Sequence, residues 1–183
     1  MSTFLVRALL VICFVAGPAH ADQNDPALEA LFDRLAATSD REQGRRITGE
    51  IWSLWNDVDD SGAGTLLRNG VILMHAGHLP GALALFDRLV ARAPGFAEGW
   101  NKRATVLYLL DRNAESMEAI RRTLELEPRH FGALSGLGLI YLEQGQYEAA
   151  LVAFEKTREI NPFMPGVEEN IEHARALAEG SRI

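Results

Sequence analysis

Three segments of this chain, beginning at Ala63, Ala97 and Phe131, superimpose at a spacing of 34 residues without a gap. The fourth position reads Leu66, Trp100, Leu134, the eighth Gly70, Ala104, Gly138, and the eleventh Leu73, Leu107, Tyr141. The twentieth reads Ala82, Ser116, Ala150, the twenty-fourth Phe86, Ile120, Phe154, and the thirty-second Pro94, Pro128, Pro162. Large apolar, small, aromatic and proline positions recur in phase, so the segments are copies of one structural unit. No such unit buries its apolar face alone, and the copies must stack into one continuous core.

Each copy contains two stretches with helical apolar spacing, such as Leu134, Leu137 and Tyr141, then Ala150, Leu151 and Phe154. Turn residues separate them at Gly77 to Pro80, Asp111 to Asn113 and Gly145-Gln146. Pro80 falls where a second helix begins, a place where its missing N–H costs nothing. The prolines at position thirty-two end each second helix. Small residues at the eighth and twentieth positions let two helix axes approach closely. Two columns depart from the pattern. The seventh is Asn69 and Arg103 before Leu137, and the twenty-seventh is Leu89, Thr123 and Thr157.

This register resembles the tetratricopeptide repeat, which has the same period and the same order of tryptophan, leucine, glycine, tyrosine, alanine, phenylalanine and proline positions. The resemblance implies an all-α fold, a right-handed superhelical α-solenoid of helix-turn-helix units, with repeats over 63–96, 97–130 and 131–164. It also implies a surface for other proteins, with no catalytic residue, no metal and no cofactor.

The flanks frame the repeats. Residues 1–21 read as a secretory signal peptide. Arg7 supplies the positive start, Ala8 to Ala16 an apolar run, and Ala19-His20-Ala21 the small-x-small site, placing cleavage between Ala21 and Asp22. The run is shorter than the roughly 20 residues a spanning helix needs, so no stable membrane insertion is expected after cleavage. Cys13, the one cysteine, leaves with the leader, and the mature chain is expected to have no thiol chemistry. Lys102 and Lys156 are the only lysines, arginine supplying the other basic positions, as GC-rich coding tends to do. With a bacterial-style leader, the expected location is the periplasm of a Gram-negative cell.

Losing Arg7 moves the formal net charge from −7 to −8. An acidic domain without a basic cluster is a poor partner for nucleic acid, whose phosphates demand Lys/Arg. Residues 22–62 are expected to form an atypical helical hairpin and acidic linker. Leu28, Leu31, Phe32 and Leu35 make one face, and Ile47, Ile51, Trp52, Leu54 and Trp55 the other. One period back, Phe32 falls at position four, Ala36 at eight and Trp52 at twenty-four, which suggests a first repeat closing the N-terminal end. An unrelated helical pair is the other reading. Residues 165–183 are expected to hold a capping helix, with Val167, Ile171, Ala174 and Leu177 or Ala178 inward, and a frayed tail.

Signals for chemistry are thin. Asp57-Val58-Asp59-Asp60-Ser61-Gly62 begins like a calcium loop, but the twelfth position, where a bidentate glutamate belongs, is Arg68. His75 and His78 lack the third and fourth ligands that zinc requires. His130 and His173 have no companions in sequence. Trp100 holds the family's fourth position and is expected in the core, whereas one of Trp52 and Trp55 could be an exposed docking point.

In the family, the first helix of each repeat lines a concave groove. Carried over by position, the groove residues are Leu67, Val71 and Met74 from the first repeat, Asn101, Thr105, Tyr108 and Leu109 from the second, and Ser135, Leu139 and Leu142 from the third, with His75 and Glu143 beside them. That many apolar residues on one face suggest a docking surface, although the terminal hairpin could cover some of them. Chaperone-binding members hold a partner's terminal carboxylate with lysine and asparagine. Here position five offers Asn101 rather than lysine, and position nine has no asparagine. The implied role is a periplasmic adaptor or scaffold that holds a segment of another cell-envelope protein. The alternative is a chaperone or an accessory subunit of an envelope enzyme complex.

Overall fold

The computed structural model describes residues 25–180; the leader, with the cleavage site expected at Ala21 and Asp22, lies outside them, as do residues 181–183. Among the described residues nine helices follow one another: α1 (Pro26–Ala37), α2 (Arg41–Trp55), α3 (Ser61–His75), α4 (Leu79–Arg92), α5 (Ala97–Leu109), α6 (Asn113–Leu126), α7 (Phe131–Glu143), α8 (Tyr147–Ile160) and α9 (Val167–Gly180). The pairs α3/α4, α5/α6 and α7/α8 are the three repeats, and they stack into an all-α solenoid. No helix among the described residues is long and apolar enough to cross a membrane.

The repeat columns have visible physical causes. A Cβ built on Gly70 would lie 2.5 Å from the Phe86 ring, and one on Gly138 2.5 Å from the Phe154 ring, so positions eight and twenty-four meet in direct contact. In the middle repeat positions eight and twenty meet as well, the Ser116 hydroxyl donating to the Ala104 carbonyl at 2.8 Å. The fifteenth position turns each hairpin in the left-handed region, with φ of 74° at Gly77, 57° at Asp111 and 70° at Gly145. Aspartate is one of the few side chains that tolerates that conformation.

The departures are also accounted for. Arg103 at position seven donates from Nε to Asp87 at 2.7 Å while its stem lies partly buried. Thr123 and Thr157 are buried, and their hydroxyls donate to the carbonyls of Ala119 and Ala153, each at 3.0 Å. The acidic linker is structural in this fold. Asp60 caps α3 by accepting from the Ala63 N–H at 2.8 Å and pairs with Arg92 Nε at 2.8 Å. His75 and His78 are exposed at the turn between α3 and α4.

The N-terminal hairpin forms, but it does not stack on the first repeat. Its apolar residues instead build a cluster with Phe131, Ile160, Phe163 and Met164. Thr48 donates to Asn161 Oδ1 at 3.2 Å, Trp52 packs edge-on to Phe131, and Arg129 reaches Glu29 at 2.8 Å. Two glycines admit the contact: a Cβ on Gly44 would strike the Phe163 ring at 2.2 Å, and one on Gly132 the Trp52 ring at 2.6 Å. The hairpin therefore runs along the loops that join the repeats. The physical reason is aromatic: Phe131, which opens α7, and Phe163, between α8 and α9, are covered there by Trp52, Trp55 and the rest of the hairpin's apolar face. Ala36, set at position eight by that register, is exposed.

At the other end α9 buries Val167, Ile171, Ala174 and Ala178 against α8, with Leu177 half-buried. The tryptophans sort differently from expectation. Trp55 is the fully enclosed one, Trp52 is half-buried, and Trp100 is also half-buried, its indole N–H donating to the Pro94 carbonyl at 3.0 Å.

Candidate functional site

The groove residues of the sequence divide into four groups. Leu67 is buried, and Val71 and Met74 pack half-buried against the central core, so the first repeat's share of the groove is filled by its own side chains. Leu109 is 49% exposed at the end of α5. Leu142 packs against the C-terminal cluster. The remaining five, Asn101, Thr105, Tyr108, Ser135 and Leu139, surround one cavity between α5 and α7 of about 240 Å³.

Small residues on α7 leave room for the cavity. Its wall on α7 is Gly132, Ala133, Ser135 and Gly136, facing Ala104 and Thr105 on α5, with Ile120 at the back and Met164 at one end. One repeat earlier the corresponding positions carry Glu98, Gly99, Asn101 and Lys102 against Gly70 and Val71. Leu67 and Met74 stand one repeat earlier where Asn101 and Tyr108 do, and both are packed into the core.

At the mouth, the Tyr108 hydroxyl donates to Glu143, which also accepts from Asn113 Nδ2 at 3.1 Å. The hydrogen bond to Glu143 and partial burial push the Tyr108 hydroxyl up to about 12. Thr105 spends its hydroxyl on the Asn101 carbonyl at 3.0 Å.

Below the cavity lies a buried polar cluster that sequence reading missed. Glu98 accepts from Asn101 Nδ2 at 2.8 Å and from His130 Nε2 at 2.9 Å, and it forms an ion pair with Lys102 Nζ at 2.7 Å. His130 Nδ1 accepts the Ala133 N–H at 3.1 Å, which leaves Nε2 to carry the proton and donate to Glu98. Its ring stacks on Trp55 at a centroid distance of 4.2 Å. Burial pushes the Glu98 carboxyl up, but the Lys102 ammonium and His130 together hold it below its ordinary value. No local motif announces this cluster, because Glu98 and His130 are 32 residues apart, at opposite ends of the second repeat. It ties the second repeat, the third repeat and the hairpin into one unit. It also withdraws Lys102 from the groove, placing its Nζ over the Trp52 ring at 5.4 Å.

A second depression, wider at about 680 Å³, lies between α6 and α7 among Met117, Leu124, Leu137 and Tyr141, edged by Glu118, Arg121 and Glu125, which pair with one another. Among the described residues no group of three or more His, Cys, Asp or Glu side chains is gathered as a metal site.

Comparison with known proteins agrees with this architecture. Two tetratricopeptide-repeat family models match, over residues 67–126 and 132–164. A TPR repeat-containing protein of Rhizobium etli is 32% identical over 155 residues, 85% of this chain and 76% of the relative. The chain belongs to the tetratricopeptide-repeat family, whose fold is a protein-interaction module. Among solved structures, the Sgt2 TPR domain from Aspergillus fumigatus superimposes with a TM-score of 0.63 at 21% identity, over 68% of this chain and 84% of that one. The first TPR of Spaghetti (RPAP3), bound to the HSP90 peptide SRMEEVD, gives 0.62 at 19% identity, over 66% of this chain and 96% of that one.

Proposed function

We propose that this protein is an exported adaptor of the bacterial cell envelope that holds a segment of a partner protein in the groove along α5 and α7. The observation that carries the reading is the open cavity between those helices, lined by five of the ten groove positions while the first repeat fills its own. A fold shared with a domain solved around a bound peptide supports a segment, rather than a small metabolite, as the ligand. The leader read at residues 1–21 supports export, and the acidic chain supports a protein partner over nucleic acid.

The test is site-specific photocrosslinking in the native cell, with p-benzoylphenylalanine in place of Tyr108, and separately of the exposed Ile72 and Val152. The expected result is a single envelope protein captured from position 108, the crosslink mapping to one segment of it. N-terminal sequencing of the periplasmic form should begin at Asp22. Capture from positions 72 or 152 alone would move the interface elsewhere. An unprocessed chain in the cytoplasm would sink the location.

A further inference from the structure

We propose that the cavity between α5 and α7 receives one large apolar side chain, leucine- or phenylalanine-sized, from a partner segment that carries a basic residue next to it. This rests on the groove reading above and adds the chemistry of the occupant.

The size argument comes first. A cavity of about 240 Å³ walled by Ala104, Ala133, Gly136, Ile120 and Leu139 is apolar. An apolar cavity of about 150 Å³ takes a benzene-sized guest, so this larger one has room for a leucine or phenylalanine side chain. It is open to the groove, so a side chain from outside can enter without any change in the repeats. Gly136 leaves the space: a Cβ built there touches only Ile120 Cδ1, at 3.7 Å. Ser135, also in the wall, adds a hydroxyl to the cavity lining.

The charge argument is independent. None of the residues lining the cavity is a cation, and Lys102, the nearest one on α5, is held by the buried Glu98 at 2.7 Å. The mouth is acidic. Glu143 is fixed there by Tyr108 and Asn113, and Asp111 acts on the same Tyr108 hydroxyl. An acidic partner segment such as SRMEEVD would meet carboxylates and no accessible ammonium. A segment with lysine or arginine beside its apolar anchor finds Glu143 already oriented.

Fluorescence anisotropy with labelled heptapeptides tests this on the chain from Asp22 onward. The peptides are Ser-Gly-Lys-Xaa-Lys-Gly-Ser with leucine, phenylalanine, alanine or aspartate as Xaa, the same set with glutamate for lysine, and SRMEEVD. Leucine or phenylalanine should bind about tenfold or more tighter than alanine, from the apolar area removed from water. Lysine flanks should win over glutamate flanks, and Glu143→Gln should narrow that gap about two- to fivefold, as for a partly exposed ion pair. Gly136→Leu should abolish the preference for an apolar centre while melting no lower than wild type, and Gly136→Ala should keep it. Binding that ignores Gly136→Leu, or that favours SRMEEVD, overturns the proposal but leaves the groove reading intact if position 108 still crosslinks. No binding by any peptide to millimolar concentration, together with no crosslink at position 108, takes both down.

Discussion

The two ends of the repeat array bury the same column in opposite ways. Position ten is Ile72, Val106 and Ile140 in the three repeats, and α9 continues the register with Ala174. Val106, Ile140 and Ala174 are 0% exposed, whereas Ile72 is 63% exposed. Each buried member is covered by the repeat before it. Nothing among the described residues covers the Ile72 face of α3. The C-terminal end therefore closes as arrays of this kind usually do, with a lone first helix that turns Glu169, Glu172 and His173 outward. The N-terminal end is not closed by its hairpin, which runs along the edge of the array. Repeat sequence sets how units stack, and aromatic residues outside the consensus decide where the extra helices go.

The largest effect should come from breaking the covered member of that column. Ile140→Lys places an unpaired ammonium where no water reaches, and should cost more than about 4 kcal/mol. Ile72→Lys, at the same repeat position, should change stability by less than about 0.5 kcal/mol. Urea denaturation of both variants checks the contrast. A comparable loss from Ile72→Lys would mean that the start of the array is covered after all.

The hairpin is the next thing to break. Contacts between neighbours make a solenoid quasi-one-dimensional, so its ends can fray separately. Here Thr48 and Asn161 meet across 113 residues of chain, and Trp55 stacks on His130. Trp55→Ala should cost about 3–5 kcal/mol through the cavity it leaves. It should also keep a single unfolding transition, because the hairpin and the third repeat share one cluster. Trp100→Ala removes a half-buried ring and one hydrogen bond, and should cost less, about 1–2 kcal/mol. A separate early transition in Trp55→Ala, with the repeats melting at their original temperature, would show the hairpin to be an independent appendage.

Much of this was legible from residues because the governing interactions are local or periodic. Gly70 opposite Phe86, Gly138 opposite Phe154 and the turns at Gly77 and Gly145 follow from a spacing that recurs. Five groove positions meet at one cavity for the same reason. What escaped has no period. Trp100 follows the consensus yet stays half-buried, because its indole N–H is held at the Pro94 carbonyl at the repeat edge. Leu67, Val71 and Met74 lie at groove positions but are absorbed by the core, since their own bulk fills the space that Asn101, Thr105 and Ser135 leave open in the later repeats. The Glu98–His130 pair and the docking of Trp52 on Gly132 depend on chain segments whose meeting no single segment specifies.

The smallest effect belongs to the joint where the hairpin hands over to the repeats. Asp60 caps α3 and binds Arg92, at the end of α4, so it ties the linker that follows the hairpin to the first repeat. The hydrogen bond from Arg92, and then that from the Ala63 N–H, hold its carboxyl below the ordinary value of 3.8. A carboxyl whose value is depressed by folding stabilises the fold above its unfolded value and loses that contribution as pH falls through the folded one. The difference in melting temperature between wild type and Asp60→Asn should therefore be constant from neutral pH down to about 4 and shrink below it. Asparagine can still cap the helix, so the difference isolates the ion pair. Added salt should reduce it at neutral pH, because the pair is open to solvent. A difference that persists unchanged at pH 2, or that ignores salt, would assign the role of Asp60 to the cap alone. The linker would then be held to the first repeat by chain connectivity rather than by charge.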